Sequence, residues 1–189
     1  MEHIILYNSE ERQILLQTAH AAINYGLEYH TSLILDLKQY SAKLLANQAC
    51  FVTLHLSSSL RGCIGSLQAY QPLIVDVASN AFNAAFHDRR FAPLSKAETS
   101  NIKLEISVLS TPETMHFDSE ADLLSQLRPQ IDGLILSDNG HRGTFLPTVW
   151  QQFPDPFTFF SHLKNKARLP AKYWSKTLQV QRYTTELIY

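Results

Sequence analysis

Residues 60–66, LRGCIGS, combine features that a strand built only to fill a core does not need. Leu60 and Ile64 alternate with Arg61 and Cys63, and the stretch holds one of two cysteines and two of six glycines in the chain. Alternation of this kind is typical of a half-buried strand. We therefore predict a strand with one core face and one face equipped for chemistry.

Residues 50–56, CFVTLHL, alternate in the same way and precede three serines at 57–59. The pattern predicts a β-hairpin with a three-residue loop, in which Leu56 faces Leu60, His55 faces Arg61 and Thr53 faces Cys63. Strand side chains repeat every two residues, so His55, Arg61 and Cys63 should share one face. Gly62 and Gly65 would leave room for a ligand or another backbone to approach.

Cys63 has two interpretations at this stage. A cation such as Arg61 beside a thiol favours the thiolate, which would make Cys63 a nucleophile, a redox thiol or a ligand. Free cysteine is, however, more often a small buried apolar residue. A pairing of Cys63 with His55 stays open, whereas Cys50 would lie opposite Ser66, which argues against a disulfide with Cys63.

Further candidates lie outside the hairpin. Asp88 should end its helix, where the macrodipole disfavours a carboxylate, so we expect Arg89 or Arg90 as its partner. Glu105 lies in the middle of a predicted strand and would be the carboxylate for Arg61, or merely solvated. A basic run follows around the end of a predicted helix and has two interpretations, a solvated face or a patch for nucleic acid or an acidic partner; it comprises Lys164, Lys166, Arg168, Lys172 and Lys176.

The remaining pattern predicts helices and strands that are mixed but do not alternate strictly. We expect helices over 9–26, 72–87, 119–128 and 155–167, one or two short helices in 31–46, and strands over 102–109, 131–137 and 177–183, with a tight turn at Asp138-Asn139-Gly140. Such a chain is of the α+β class. Its length fits one domain over residues 1–189, or one domain with a lobe.

Composition and motifs argue against attraction of a polyanion, a local metal site, a dinucleotide or P-loop site, a signal peptide and a membrane span. The net charge is −1, and the histidines show no metal-ligand spacing. Neither a dinucleotide fingerprint nor a P-loop occurs, so the cofactor stays unknown. The amino terminus lacks a signal-peptide pattern, no apolar run approaches a membrane span, and two unspaced cysteines suit a reducing compartment. We expect a cytoplasmic protein.

The hexapeptide LRGCIG at 60–65 resembles the signature of the AMMECR domain family, called AmmeMemoRadiSam system protein A in bacteria and archaea. The similarity extends over about residues 10–186 and rests on matching motifs: F51-V-T-L54, the D-x-R-F-x-P pattern with its later acid (Asp88, Arg90, Phe91, Pro93, Glu98), I106-S-V-L109, Gly133, F145-L-P-x-V149, Trp150, Lys166, Trp174 and Arg182-Tyr183. Two positions depart from the family pattern, since Thr148 stands where glutamine or glutamate is common and Arg168 where glycine is usual.

The resemblance implies an α+β fold with a main mixed β-sheet, flanking helices and a smaller second lobe. It raises Arg61, Cys63, Asp88 and Arg90 as a candidate site. Together with the residue patterns, this gives Cys63, Arg61 and Asp88 as candidate catalytic residues and Arg90, Glu105, Gly62, Gly65 and Phe91 as candidate binding residues. It also implies Memo-like and radical-SAM proteins as partners in a shared pathway, but names no substrate.

Three functional hypotheses follow. In the first, the protein is an enzyme or enzyme component that acts on a small molecule or a peptide through Cys63. In the second, the same strand and the loop around Phe91 form a docking surface without chemistry. The third is nucleic-acid binding, which the net charge and the lack of any reader motif argue against.

Overall fold

The computed structural model describes residues 6–189, and these residues divide into two compact units. The first unit runs to Leu109 and resumes at Glu186, and the second spans Ser110–Thr185. Helices and antiparallel strands mix in both, which confirms the α+β prediction. The resemblance implied one main mixed sheet, whereas the structure has two four-stranded sheets, and every pairing with a described register is antiparallel.

The first unit contains three helices and four strands. In chain order they are α1 (Ser9–Tyr29), α2 (Ala42–Leu45), β1 (Cys50–Leu56), β2 (Ser59–Gly65), α3 (Leu73–Phe86), β3 (Ile102–Leu109) and β8 (Thr185–Ile188), with short 3-10 helices at Leu37–Gln39 and Thr99–Asn101. The sheet order is β2-β1-β3-β8, so β2 is an edge strand. Apolar residues of α1, α3, β1 and β3 form one continuous core.

Helix α1 begins at Ser9, as predicted, but continues past Gly26 to Tyr29. Its N-cap is Asn8, which exchanges hydrogen bonds with Glu11 in a capping box. The helix does not stop at Gly26, because this residue lies inside the contact with α3. A Cβ there would lie 2.4 Å from the ring of Phe86, so the glycine is required by helix packing rather than by helix termination.

The second unit contains two helices and four strands around its own core. They are β4 (Glu113–Thr114), α4 (Glu120–Gln126), β5 (Gly133–Asp138), β6 (His141–Phe145), α5 (Pro156–Lys166) and β7 (Gln179–Tyr183), with a 3-10 helix at Pro147–Gln151. The sheet order is β4-β7-β5-β6, and Asn139-Gly140 form the predicted tight turn between β5 and β6 with positive φ angles of 46° and 82°. Thr148, one of the family departures, lies half-buried on the 3-10 helix.

The basic run in this unit is not one solvated face. Lys164 is fully buried, and its ammonium group donates to Glu120 Oε1 at 2.6 Å and to the Tyr173 carbonyl at 3.2 Å. The interpretation of the basic run as five exposed cations is therefore wrong for Lys164, because this residue lies on the inner side of α5. A buried lysine with two partners is not free to bind an anion, and removal of a partner would leave its charge buried without compensation.

Arg168 completes the C-terminal cap of α5 in the left-handed region, at φ 62°. The Leu169 amide donates to the Lys164 carbonyl and the Arg168 amide to the Asn165 carbonyl, which is the hydrogen-bond pattern of a Schellman motif. A residue with a Cβ is strained in this conformation, and glycine is not. The departure from glycine at Arg168 therefore affects the local backbone conformation at the end of α5.

Candidate functional site

The β1–β2 hairpin places Cys63 directly opposite Thr53, as the sequence predicts. Thr53 in turn lies opposite Glu105 of β3, so a thiol, a hydroxyl and a carboxylate stand side by side across three strands. Their face of the sheet is the one away from α3. Gly62 defines the other face, since a Cβ at this position would lie 2.2 Å from the Ala84 carbonyl oxygen of α3.

Other atoms of the protein occupy the space beside the two glycines of β2, Gly62 and Gly65. Helix α3 approaches the backbone at Gly62, and the ring of Phe51 covers Gly65, where a Cβ would lie 2.2 Å from the aromatic carbon Cγ. The predicted close approach is thus present at both positions, but its partners are the helix and the ring. Both glycines act on the candidate site by allowing β2 to pack, which sets the place of Cys63.

The hairpin turn is shorter than predicted, and this moves Arg61. Ser57 and Ser58 form a two-residue turn with φ angles of 50° and 68°, so Leu56 pairs with Ser59 and His55 with Leu60. The predicted pairing of His55 with Arg61 is therefore wrong. The register shifts between Leu54 and His55, and Arg61 is the extra residue of a β-bulge, which re-aims its side chain.

Arg61 forms its ion pair with Glu98, not with Glu105. Its Nε donates to Oε1 at 2.7 Å and its Nη2 to Oε2 at 3.2 Å, while the Ser95 amide and hydroxyl also donate to Oε2. Arg61 and Ser95 together lower the pKa of Glu98 to about 2. Within residues 6–189 the half-buried side chain of Glu105 makes no hydrogen bond or ion pair.

Asp88 and Arg90 bind both polar backbone atoms of Cys63 at the free edge of β2. Asp88 Oδ2 accepts the Cys63 amide proton at 2.9 Å, and Arg90 Nη2 donates to the Cys63 carbonyl oxygen at 3.2 Å. Arg90 also donates from Nε and Nη2 to the two carboxylate oxygens of Asp88, at 2.9 and 2.6 Å. Of the two arginines offered by the sequence, Arg90 is the partner of Asp88.

Asp88 and Arg90 each shift the pKa of the other. Hydrogen bonds from Arg90, followed by those from the backbone amides of Cys63 and Arg90, hold the pKa of Asp88 well below its ordinary value. Asp88 is the main cause of the raised pKa of Arg90, and Cys63 makes a smaller contribution in the same direction. The guanidinium that contacts Cys63 is that of Arg90, whereas sequence reasoning placed Arg61 beside this residue.

Phe91 joins the two ion pairs. The guanidinium carbon of Arg61 lies 5.9 Å from the centroid of the Phe91 ring, and that of Arg90 lies 5.5 Å from it. In the described part of the chain, the buried Nη1 of Arg61 has no hydrogen-bond partner, and the aromatic ring supplies electrostatic compensation for this guanidinium. Phe91 therefore orders both arginines beside the Cys63 strand.

The thiol of Cys63 is half-buried, in contrast to that of Cys50. Thr53 Oγ1 donates to Cys63 Sγ at 3.4 Å. Cys50 is fully buried against Asp76, and burial together with this carboxylate raises the pKa of the Cys50 thiol well above its ordinary value. The chain thus contains one half-buried cysteine with a polar setting and one fully buried cysteine.

Thr53 and Glu98 are the two members of this cluster that residue-by-residue reasoning did not select as site residues. Thr53 could have been found from the predicted hairpin, which already placed it opposite Cys63. Glu98 lies 37 residues from Arg61 and was visible only as the later acidic residue of the family pattern. No local spacing connects the two.

Comparisons with known proteins decide the family. A family model described as AMMECR1 matches residues 16–188, which include the hairpin, Asp88, Arg90, Phe91 and Glu98. The chain belongs to the AMMECR1 family.

AMMECR1 relatives align over nearly the whole chain. A protein of Saccharolobus islandicus is 36% identical over 184 residues, which cover 93% of this chain and 80% of the relative. A protein of Methanocaldococcus jannaschii is 30% identical over 186 residues, covering 96% and 91%. The crystal structure of uncharacterized protein PH0010 from Pyrococcus horikoshii is similar with a TM-score of 0.88 and 29% identity, over 95% of this chain and 91% of that chain.

Residues 6–189 contain neither a cluster of metal-binding side chains nor a membrane-spanning helix. Among these residues, no group of three or more histidine, cysteine, aspartate or glutamate side chains could hold a metal ion. None of the helices described is both long and apolar enough to cross a lipid bilayer.

Proposed function

We propose that Cys63 is the reactive thiol of an enzyme, or of an enzyme component, that acts on a small molecule or a peptide together with Memo-like and radical-SAM proteins. The observation that carries this proposal is the set of contacts around one residue. The amide, the carbonyl and the sulfur of Cys63 each have a dedicated polar partner, namely Asp88, Arg90 and Thr53. A cysteine that serves only as core filling does not need this arrangement.

The contacts support a nucleophilic role in particular. A nucleophile must be held in one geometry, and the two backbone hydrogen bonds fix the peptide that carries the thiol. The thiolate would supply the electron pair for a bond to an electrophilic carbon of the substrate, whose leaving group or carbonyl oxygen takes up the displaced pair.

Arg90 also supports recognition of a substrate. Its side chain is 56% exposed, and its contacts with Asp88 and Cys63 use only Nε and Nη2. The remaining terminal nitrogen, Nη1, is available to a carboxylate or carbonyl oxygen of a bound molecule. Arg61, which is mostly buried and paired with Glu98, would act by holding Phe91 rather than by touching substrate.

The alternative is a docking module without chemistry. Its specific support is Phe91, a half-buried aromatic ring between two guanidinium groups, because aromatic residues and arginine are the usual anchors of protein interfaces. A nucleic-acid role has less support, since the basic run loses Lys164 to the core of the second unit. We propose a cytoplasmic location, which suits the two free cysteines.

The decisive experiment is alkylation of the native protein by iodoacetamide as a function of pH, with each cysteine followed by peptide mass analysis. We expect Cys63 to react while the protein is folded and Cys50 to react only after unfolding. The Cys63→Ser variant should then lose native-state labelling altogether. If both thiols stay unlabelled until the protein unfolds, the enzyme proposal is wrong and the docking module becomes the better interpretation.

The partner proposal needs a separate measurement. Size-exclusion chromatography of this protein with a Memo-like and a radical-SAM protein of the same organism should show a joint complex. Alternatively, an activity assay should show turnover that requires all three proteins. A Phe91→Ala variant that abolishes the complex while leaving the rate of Cys63 labelling unchanged would favour docking over catalysis.

A further inference from the structure

The hydroxyl of Thr53 lies in a position to act on the sulfur of Cys63. Thr53 is in the middle of β1, between β2 and β3, and only 9% of the residue is exposed. Its Oγ1 lies 3.4 Å from Cys63 Sγ, within hydrogen-bond distance for a sulfur acceptor. Because the two residues are direct cross-strand partners, the backbone ladder itself holds the hydroxyl against the thiol.

The Thr53 hydroxyl has no competing partner in the region that the structure describes. Buried hydroxyl groups are normally hydrogen-bonded, so the Thr53 proton is directed to the sulfur. A neutral thiol is a weak acceptor, whereas hydrogen bonds to an ionised group are roughly twice as strong. The contact therefore gains strength when Cys63 loses its proton.

The charged groups around Cys63 are mostly paired with one another, so the uncharged Thr53 hydroxyl is the donor to the sulfur. At the free edge of β2, Asp88 and Arg90 balance each other, and the Arg61 side chain on β2 is paired with Glu98. On the same face, β1 contributes His55, and β3 contributes Lys103 and Glu105. Helix α3 packs on the opposite face, through Gly62. Among the groups around Cys63, Thr53 is the uncharged donor that touches the sulfur itself.

We infer that Thr53 is a positioning residue that orients Cys63 Sγ and stabilises its thiolate. This inference rests on the proposed function, because it assigns a role toward the same thiol. It adds a residue that neither the sequence motif LRGCIG nor the ion pairs around it include. Thr53 acts through Cys63 and does not itself need to touch a substrate.

The test compares Thr53→Val with Thr53→Ser. Valine has nearly the same shape and suits a strand but lacks the hydroxyl, whereas serine keeps the hydroxyl and loses only a methyl group. The readout is the ultraviolet absorbance of the thiolate during a pH titration, taken as the difference between each protein and the same protein carrying Cys63→Ser. This difference reports Cys63 alone and does not depend on its reactivity.

We expect the valine variant to develop the thiolate absorbance at higher pH than the unmodified protein, and the serine variant to follow the unmodified protein. Labelling of the valine variant by iodoacetamide at neutral pH should be about tenfold slower, since a hydrogen bond to a charged group typically changes an equilibrium by about one order of magnitude. Should the valine variant not fold, Thr53→Ala against Thr53→Ser gives the same comparison. Equal titrations for the hydroxyl-containing and hydroxyl-lacking proteins would overturn the inference.

The two readouts separate this inference from the proposed function. If Cys63 titrates with the expected dependence on the Thr53 hydroxyl but reacts with no electrophile, the enzyme proposal fails and the inference stands. If Cys63 reacts readily but the valine and serine variants behave alike in both measurements, the inference fails and the enzyme proposal stands.

Discussion

Arg90 donates to the carbonyl oxygen of Cys63 and to both carboxylate oxygens of Asp88, which in turn accepts the amide proton of Cys63. The ion pair thus occupies the hydrogen-bonding positions that a further strand would use at this point of the β2 edge. It holds the Cys63 peptide and blocks addition of a strand here. If this surface docks a partner, it would do so through side chains such as Phe91 rather than through strand pairing at Cys63.

Replacement of Arg90 should affect Cys63 more than replacement of Arg61. Arg90→Ala removes the guanidinium beside the thiol and leaves Asp88, whose side chain is 4% exposed, as an unpaired carboxylate. We expect labelling of Cys63 by iodoacetamide at neutral pH to slow about tenfold, because the cation that contacts Cys63 is lost while the Asp88 carboxylate stays beside it. In Arg61→Ala the rate should stay within about twofold, since this arginine is paired with Glu98.

A charge-restoring variant controls the Arg90 experiment. Adding Asp88→Asn to Arg90→Ala removes the unpaired carboxylate, so part of the lost labelling rate should return. Equal loss in Arg61→Ala and Arg90→Ala would show that the arginines act only by supporting the fold, and circular dichroism of each variant would show whether the fold is lost.

Protonation of Glu98 should weaken the fold in acid. Its pKa falls from an ordinary value of 4.5 to about 2 in the folded state, chiefly because Arg61 donates to it. A lowered folded-state pKa stabilises the protein above the unfolded-state value, and this stabilisation is lost as pH falls from about 4.5 toward 2. Urea titrations over this range should show a steeper loss of unfolding free energy for the unmodified protein than for Glu98→Gln. Parallel curves would mean that the Arg61–Glu98 pair contributes nothing measurable.

Glycine at position 168 should stabilise the protein. Arg168 has a φ of 62°, and its Cβ makes this conformation unfavourable by about 1 kcal/mol. Arg168→Gly removes that strain, although the more flexible unfolded chain offsets part of the gain. We expect a higher melting temperature by calorimetry and a gain of about 0.5 kcal/mol. Arg168→Ala is the matched control, because it removes the side chain beyond Cβ and keeps the strain.

Gly62 should tolerate no side chain. A Cβ would lie 2.2 Å from the Ala84 carbonyl oxygen, so Gly62→Ala must push β2 away from α3. We expect a loss of about 2 kcal/mol or more in unfolding free energy, and altered labelling of Cys63 as its strand moves. Gly140→Ala is the comparison, since φ is 82° there but no atom lies within 4 Å of the added Cβ. Its loss should reflect backbone strain alone, about 1 kcal/mol, with Cys63 labelling unchanged.

The hairpin shows what the sequence alone determined. The pairing of Thr53 with Cys63 was predicted with a three-residue loop, and it holds because the shorter turn and the bulge at Arg61 offset each other. The period of two along residues 50–56 and 60–65 determined both strands and the core face with Val52 and Leu54. Those features depend on neighbours in the chain and on burial of one face, which local patterning specifies. The α+β class followed from the same kind of pattern, and the family resemblance supplied the smaller lobe.

The tertiary structure decided which charges meet. Arg61 selects Glu98 over Glu105, Asp88 selects Arg90 over Arg89, and Lys164 enters a core although it belongs to a basic run in the sequence. A β-bulge at Arg61 and a two-residue turn change the direction of one side chain without changing the strand pattern. Ion pairs between distant segments depend on backbone placement within a few ångström. Packing of α3 on β2 sets this placement, and the spacing of residues along the chain does not reveal it.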